Sequence, residues 1–161
     1  MTGVQTCALP IFIRKSEMFD IKIKIFAGGR LPEFKTEGAV CADCYARINC
    51  HSFEIPKGKR AKIPLGFAIE LPTGWEAVIR PRSSLTFVGI DNGIGTIDED
   101  YRGEVSAEVI NNSDEVFKIE DGDRICQMAI REAPKVRFTV VDKLSDTTRG
   151  EGGFGSTGKK N

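Results

Sequence analysis

Four short clusters in this chain hold residue types that could do chemistry together. "RPRSSL", Arg80 to Leu85, sets two guanidiniums beside two hydroxyls. That combination offers an anion both charge and directional donors, although Arg and Ser on a surface turn need no ligand. "DNGIGTIDEDYRGE", Asp91 to Glu104, has Asn92-Gly93 and Gly95 suited to a tight hairpin, where exposed amides and carbonyls can read the edge of a flat ligand. It continues into Asp98, Glu99 and Asp100, three carboxylates next to Tyr101. As solvated charge on a turn they need no function, yet Asp98 follows Ile97 where the hairpin ends, a good position for a general base acting on water.

The third cluster is "GDRICQM", Gly122 to Met128, in which Gln127 is polar among Ile125, Met128 and Ile130 and needs a partner if buried. The fourth is "RGEGGFGSTGKK", Arg149 to Lys160. Gly153 to Lys160 comes one residue short of the phosphate-binding G-x-x-x-x-G-K-[ST] loop, but Lys159 is followed by Lys160 and Asn161, without the hydroxyl and helix of a P-loop. A single Phe154 among glycines, Ser156 and Thr157 suits a flexible strap instead. Its ring can cover a base while amides and hydroxyls take phosphates. Taken together, the clusters describe a nucleotide site with phosphate donors, a base-reading segment, an aromatic lid and a carboxylate base.

The elements that must position these groups are β-strands. "DIKIKIF" alternates Ile21, Ile23 and Ile25 with polar residues. "GFAIEL", "WEAVIR", "GEVSAEVIN", "EVFKI", "RICQMAI" and "VRFTVV" follow, with turns at Pro72–Gly74, Asn-Asn-Ser-Asp, Glu-Asp-Gly-Asp and Ala-Pro. One short helical turn fits near Ser83–Phe87. So many short strands predict an all-β sandwich or barrel-like fold. After Val141 the chain turns polar and glycine-rich, as a C-terminal arm would.

At 161 residues the chain is expected to form one domain. Its 23 acidic and 23 basic residues balance, so no global field draws it to nucleic acid or an anionic membrane. No apolar run approaches the roughly 18 residues of a membrane span. Five cysteines, Cys7, Cys41, Cys44, Cys50 and Cys126, point to reduced thiols and a cytoplasmic address. "CADC", with Cys50-His51 beyond, has the look of a zinc site. Alternation along a strand would instead send Cys41 and Cys44 to opposite faces, as semi-buried thiols. "TGVQTCALPI", Thr2 to Ile11, resembles the translation of a sequencing-adapter oligonucleotide, the alternative being a disordered tail. The expected organisation is a leader over 1–17, a β-barrel domain over 18–142 and a flexible arm over 143–161.

Over about Ile21 to Lys160 the sequence resembles the trimeric dUTP diphosphatase (dUTPase) family. "PRSSL", "GTIDEDYRGE", "GDRICQM" and "RGEGGFGSTG" match that family's second to fifth motifs in order. The first, usually close to A-G-Y-D-L, stands here as "VCADC" and keeps Asp43 alone. The resemblance implies a distorted jelly-roll-like β-barrel and a homotrimer with active sites at subunit interfaces. It also implies hydrolysis of dUTP to dUMP and pyrophosphate, which limits uracil incorporation into DNA and supplies dUMP for dTMP synthesis.

By that resemblance Asp98 activates the water that attacks the α-phosphorus, and Mg²⁺ is carried by the triphosphate, with Asp43 meeting the hydrated ion indirectly. Arg82, Ser83, Ser84 and Gln127 contact phosphates. Asn92, Gly95, Thr96 and Ile97 hold uracil, and Tyr101 packs on the sugar and excludes a 2′-hydroxyl. Arg149, Phe154, Gly155, Ser156 and Thr157 close over a site of another subunit, Phe154 stacking on the base. Two rival functions share such a fold. One is a dCTP deaminase using Glu108, which otherwise reads as an exposed strand residue. The other is a non-catalytic trimeric binding module.

Overall fold

The computed structural model describes residues 19–153. Its strands are β1 (Lys22–Ile25), β2 (Ala42–Tyr45), β3 (Ser52–Ile55), β4 (Arg60–Pro64), β5 (Phe67–Glu70) and β6 (Trp75–Arg80). The short helix α1 (Ser83–Phe87) follows, then β7 (Ile90–Asn92), β8 (Gly95–Ile97), β9 (Ser106–Asn111), β10 (Phe117–Glu120) and β11 (Arg124–Glu132). All pairings are antiparallel. They form a four-stranded sheet β2-β11-β6-β8, a three-stranded sheet β4-β9-β7 and two ribbons, β1-β5 and β3-β10.

The alternation seen in the sequence builds the core. In β9, Ala107 and Val109 point inward while Glu108 is exposed. Phe67, Ile55, Ile63, Leu65, Ile79 and Ile119 are almost fully buried and pack in one cluster with Val105, Ile125 and Cys126. Burying each of the larger side chains contributes about 1.5–3 kcal/mol before entropy is counted. Cys44 lies opposite Cys126 in the β2–β11 register, both inside this cluster. A bond with Cys44 and burial push the Cys126 thiol well above its usual range, so it packs as a neutral, unreactive group.

Two expectations are corrected. "VRFTVV" was expected to be a strand, but residues 133–141 pair with no strand among the described residues. Val136, Phe138 and Val140 are 73, 93 and 97% exposed. A strand needs a partner edge for its amides and carbonyls, and the described residues present none to that segment. The hairpin expected at Asn92–Thr96 is absent as well, because β7 pairs with β9 and β8 pairs with β6. Gly93 and Ile94 therefore pass from one sheet to another. The helical turn at Ser83–Phe87 forms as expected.

Candidate active site

Asp43 lies at the centre of a cluster of donors. It is 4% exposed, on β2 opposite Gln127 of β11. Gln127 Nε2 donates to Oδ1 at 2.9 Å, and Arg124 donates to Oδ2 at 3.0 Å. Arg82 Nε stands 3.7 Å from Oδ1, and its Nη1 donates to the Arg124 carbonyl at 2.8 Å. Burial alone would raise the pKa of Asp43. The bonds from Gln127 and Arg124 and the charge of Arg82 outweigh it and hold the carboxyl below its ordinary value. Arg82 also forms the N-cap of α1, so Ser83 and Ser84 open that helix as exposed hydroxyls beside the guanidinium. The cluster can hold a polyanion: two guanidiniums and an amide are fixed around one buried countercharge, and two exposed hydroxyls follow Arg82 on α1.

Among the described residues no group of three or more His, Cys, Asp or Glu could hold a metal ion. Asp43 was expected to meet a hydrated ion. Here both its oxygens are taken by side chains of its own chain. Among the described residues there is thus no ready-made cage for a divalent cation.

A second group forms at the end of β8. Asn92 is 4% exposed; its Nδ2 donates to the Glu108 carbonyl at 3.3 Å, while its Oδ1 is buried and finds no partner among the described residues. An orphaned acceptor of this kind costs about 1–3 kcal/mol unless something donates to it. Gly95, Thr96 and Ile97 lie along β6, opposite Ile79, Val78 and Ala77. Beyond them the chain turns, the Tyr101 N–H bonding the Asp98 carbonyl at 3.1 Å. The carboxylates of that turn differ in use. Glu99 accepts the Gly74 N–H at 2.6 Å and pairs with Lys135 at 3.2 Å, and both lower its pKa. Asp98 is exposed and makes no side-chain bond among the described residues, so it is available to a water. Glu108, the alternative catalytic carboxylate, is exposed and pairs with Arg60 at 3.3 Å.

Arg82 and Asp98 lie toward opposite ends of β6, with Gly95 nearer the Arg82 end. β8 runs back along β6, so Asp98 leaves β8 near Trp75, whereas Arg82 follows the other end of β6. From Ala77 to Arg82 an extended chain covers about 16 Å at roughly 3.3 Å per residue. One copy of the chain thus brings Asp43, Arg82 and Gln127 together and sets Asp98 and Tyr101 apart from them. Of the tail, Arg149 is described and exposed, its Nε donating to the Gly152 carbonyl at 2.7 Å. Phe154, Gly155, Ser156 and Thr157 lie outside the described residues. Sequence reasoning missed Arg124 as part of the cluster. It stands within "GDRICQM", but a register shift between Arg124 and Cys126 turns it toward the carboxylate that Gln127 also meets, and alternation does not reveal such a bulge.

Small antiparallel sheets around one core, with sites at the strand ends, define an all-β, jelly-roll-like fold. The dUTPase of Staphylococcus bacteriophage 80alpha, solved with dUPNHPP, shares it at a TM-score of 0.80 and 21% identity, over 88% of this chain and 99% of that one. The dUTPase of phage phi11 of S. aureus, described with a structural Mg(II) ion, does so at 0.72 and 15%, over 80% and 100%. At those identities the likeness speaks for the fold alone. The sequence relatives are closer. The deoxyuridine 5′-triphosphate nucleotidohydrolase of Rhizobium rhizogenes is 48% identical over 132 residues, 80% of this chain and 85% of that protein. The one from Treponema denticola is 44% identical over 142 residues, 86% and 98%. The dUTPase family model matches residues 28–158, and the chain belongs to the dUTPase family.

Proposed function

We infer that this protein hydrolyses dUTP, carried as its Mg²⁺ chelate, to dUMP and pyrophosphate. Family membership and the matching names of its relatives support the activity. The observation that carries the site reading is the donor cluster on Asp43, which fits a triphosphate and leaves Asp98 free for water. In this reading Asp98 takes a proton from a water whose oxygen attacks the α-phosphorus. The bond from that phosphorus to the bridging oxygen breaks, and pyrophosphate leaves with the electron pair. The chain's own share is positioning and charge stabilisation. Arg82, Ser83, Ser84 and Gln127 hold the phosphates, and Asp43 holds Arg82, Arg124 and Gln127 in place. The divalent ion enters chelated by phosphate oxygens and retains waters.

Base selection rests in this reading on the fixed backbone groups of Asn92, Gly95, Thr96 and Ile97: uracil presents N3–H and a carbonyl where cytosine presents an acceptor and an amine, so cytosine would leave those groups unpaired. Tyr101 packs on the sugar and leaves no room for a 2′-hydroxyl. Arg149, Phe154, Gly155, Ser156 and Thr157 belong to an arm over 143–161 that closes on the site after the barrel domain of 18–142.

The separation of Asp98 from Arg82 within one chain supports sites assembled between copies. So do the exposed Val136, Phe138 and Val140 and an apolar groove of about 590 Å³ lined by Ile21, Ile23, Leu31, Phe34, Trp75 and Ile130. We take the assembly to be a homotrimer. Among the described residues no helix is long and apolar enough to cross a membrane, and we place the enzyme in the cytoplasm. The test is pyrophosphate release from dUTP, dCTP, dTTP and UTP, each with Mg²⁺, with ammonia assayed alongside. Selective turnover of dUTP is expected; ammonia from dCTP would overturn the assignment in favour of Glu108 chemistry.

A further inference from the structure

The segment from Asp98 to Glu104 is anchored at its far end by an ion pair that the reaction does not use. Arg47 Nε donates to Glu104 Oε1 at 2.8 Å and Nη2 to Oε2 at 2.7 Å, a bidentate fork. Oε1 also accepts the Gly66 N–H at 3.0 Å. The two side chains are 18 and 27% exposed, so water and salt weaken this pair less than a surface one. Both partners are themselves held. The Arg47 N–H bonds the Pro64 carbonyl at 2.8 Å, and the next residue along, Val105, bonds Phe67 and Leu65 through its backbone. Gly66 has a φ of +77°, and a Cβ there would run into the Arg47 side chain and Gly29, so the turn is shaped to admit the guanidinium's stem.

The same residue holds Tyr101. The tyrosine O–H donates to the backbone carbonyl of Glu104 at 3.1 Å. Its ring folds over Gly103, where a Cβ would lie 2.9 Å from ring carbon Cε2 and closer still to the phenol end. Tyr101 and Asp98 are joined by a backbone bond, so the position of the ring is tied at one end to the turn and at the other to Glu104.

We propose that the Arg47–Glu104 pair sets the enzyme's discrimination between deoxyribose and ribose by fixing the carbonyl on which Tyr101 rests. The proposal rests on the reading that Tyr101 packs against the sugar. Arg47 and Glu104 are positioning residues: they touch neither the reacting atoms nor the sugar, and they act by denying the ring the small retreat that a 2′-hydroxyl would require. A lysine at position 47 would keep the charge and lose the fork.

The experiment measures kcat/KM for Mg-dUTP and Mg-UTP on the full chain and on Glu104→Gln, Arg47→Met, Arg47→Lys and Tyr101→Ala. In Glu104→Gln and Arg47→Met the dUTP-to-UTP ratio is expected to fall about tenfold, the scale of a sub-ångström misplacement. Arg47→Lys should fall between them and the parent, and Tyr101→Ala should fall furthest. Partial loss of folded enzyme would scale both substrates equally and leave the ratio alone. Glu104→Gln preserves side-chain shape, so the result does not depend on the larger change at Arg47. If Tyr101→Ala relaxes the ratio while Glu104→Gln and Arg47→Met keep the parent value, the pair has no such role. If Tyr101→Ala also keeps it, the sugar-packing reading fails and this inference falls with it.

Discussion

Gln127 donates to Asp43 across the β2–β11 pairing at 2.9 Å, and in doing so each residue settles the other's burial. The carboxylate gains a neutral donor beside its two arginines, and the amide gains the partner its position in a core strand demands. The donor cluster is thus built around a buried charge of its own chain.

That arrangement has a pH signature. The folded pKa of Asp43 lies below its unfolded value, so the stability it contributes is complete above about pH 4 and is lost as the pH falls through the folded value. Asp43→Asn should lower stability at pH 7 by about 1–2 kcal/mol, because Arg82 and Arg124 lose their counterion but remain partly solvated. Urea titrations of both proteins from pH 7 down to pH 3 would measure it, and the gap should narrow in acid. A gap independent of pH would separate Asp43 from this role.

Asp98→Asn should leave the fold and nucleotide affinity near the parent's, since Asp98 is exposed and makes no side-chain bond among the described residues. Its turnover of dUTP should fall by about 10²–10⁴-fold, the range a general base supplies. Calorimetric titration with Mg-dUTP beside a pyrophosphate assay separates the two quantities. Parent-level turnover would exclude Asp98 as the base.

Removing residues 149–161 should leave an assembled protein with kcat/KM for dUTP down about 10²-fold, the cost of losing groups that align the triphosphate. Light scattering reports the assembly and pyrophosphate release the rate. Full activity in the shortened chain would remove the arm from the site.

Phe138→Asp puts a charge on a side chain that is 93% exposed in the single chain. Within one copy it should cost almost nothing. In an assembly that buries Phe138 it should shift the scattering mass from three copies toward one, and activity should fall with it. An unchanged mass would place the contact elsewhere.

Most strands were legible because alternation and turn residues agree, as in "GEVSAEVIN", where Ala107 and Val109 face in and Glu108 faces out. The partner of a strand is a different matter. Asn92–Thr96 has hairpin composition, yet its two halves join different sheets, because Val109 and Ile79 compete for them more successfully than they pair with each other. Likewise "VRFTVV" has strand chemistry without a partner among the described residues. In the site, Arg82 and Gln127 were legible from residue type. Arg124 and the Arg47–Glu104 pair were not, since a bulge and a contact between distant segments leave no local pattern.

The passage of Gly93 and Ile94 between two sheets bears on fidelity. A hairpin can slip along itself by a residue and present the wrong groups to a base. Here each side of the segment is locked to a separate strand, β9 on one and β6 on the other, so a segment proposed to hold uracil would keep a single register.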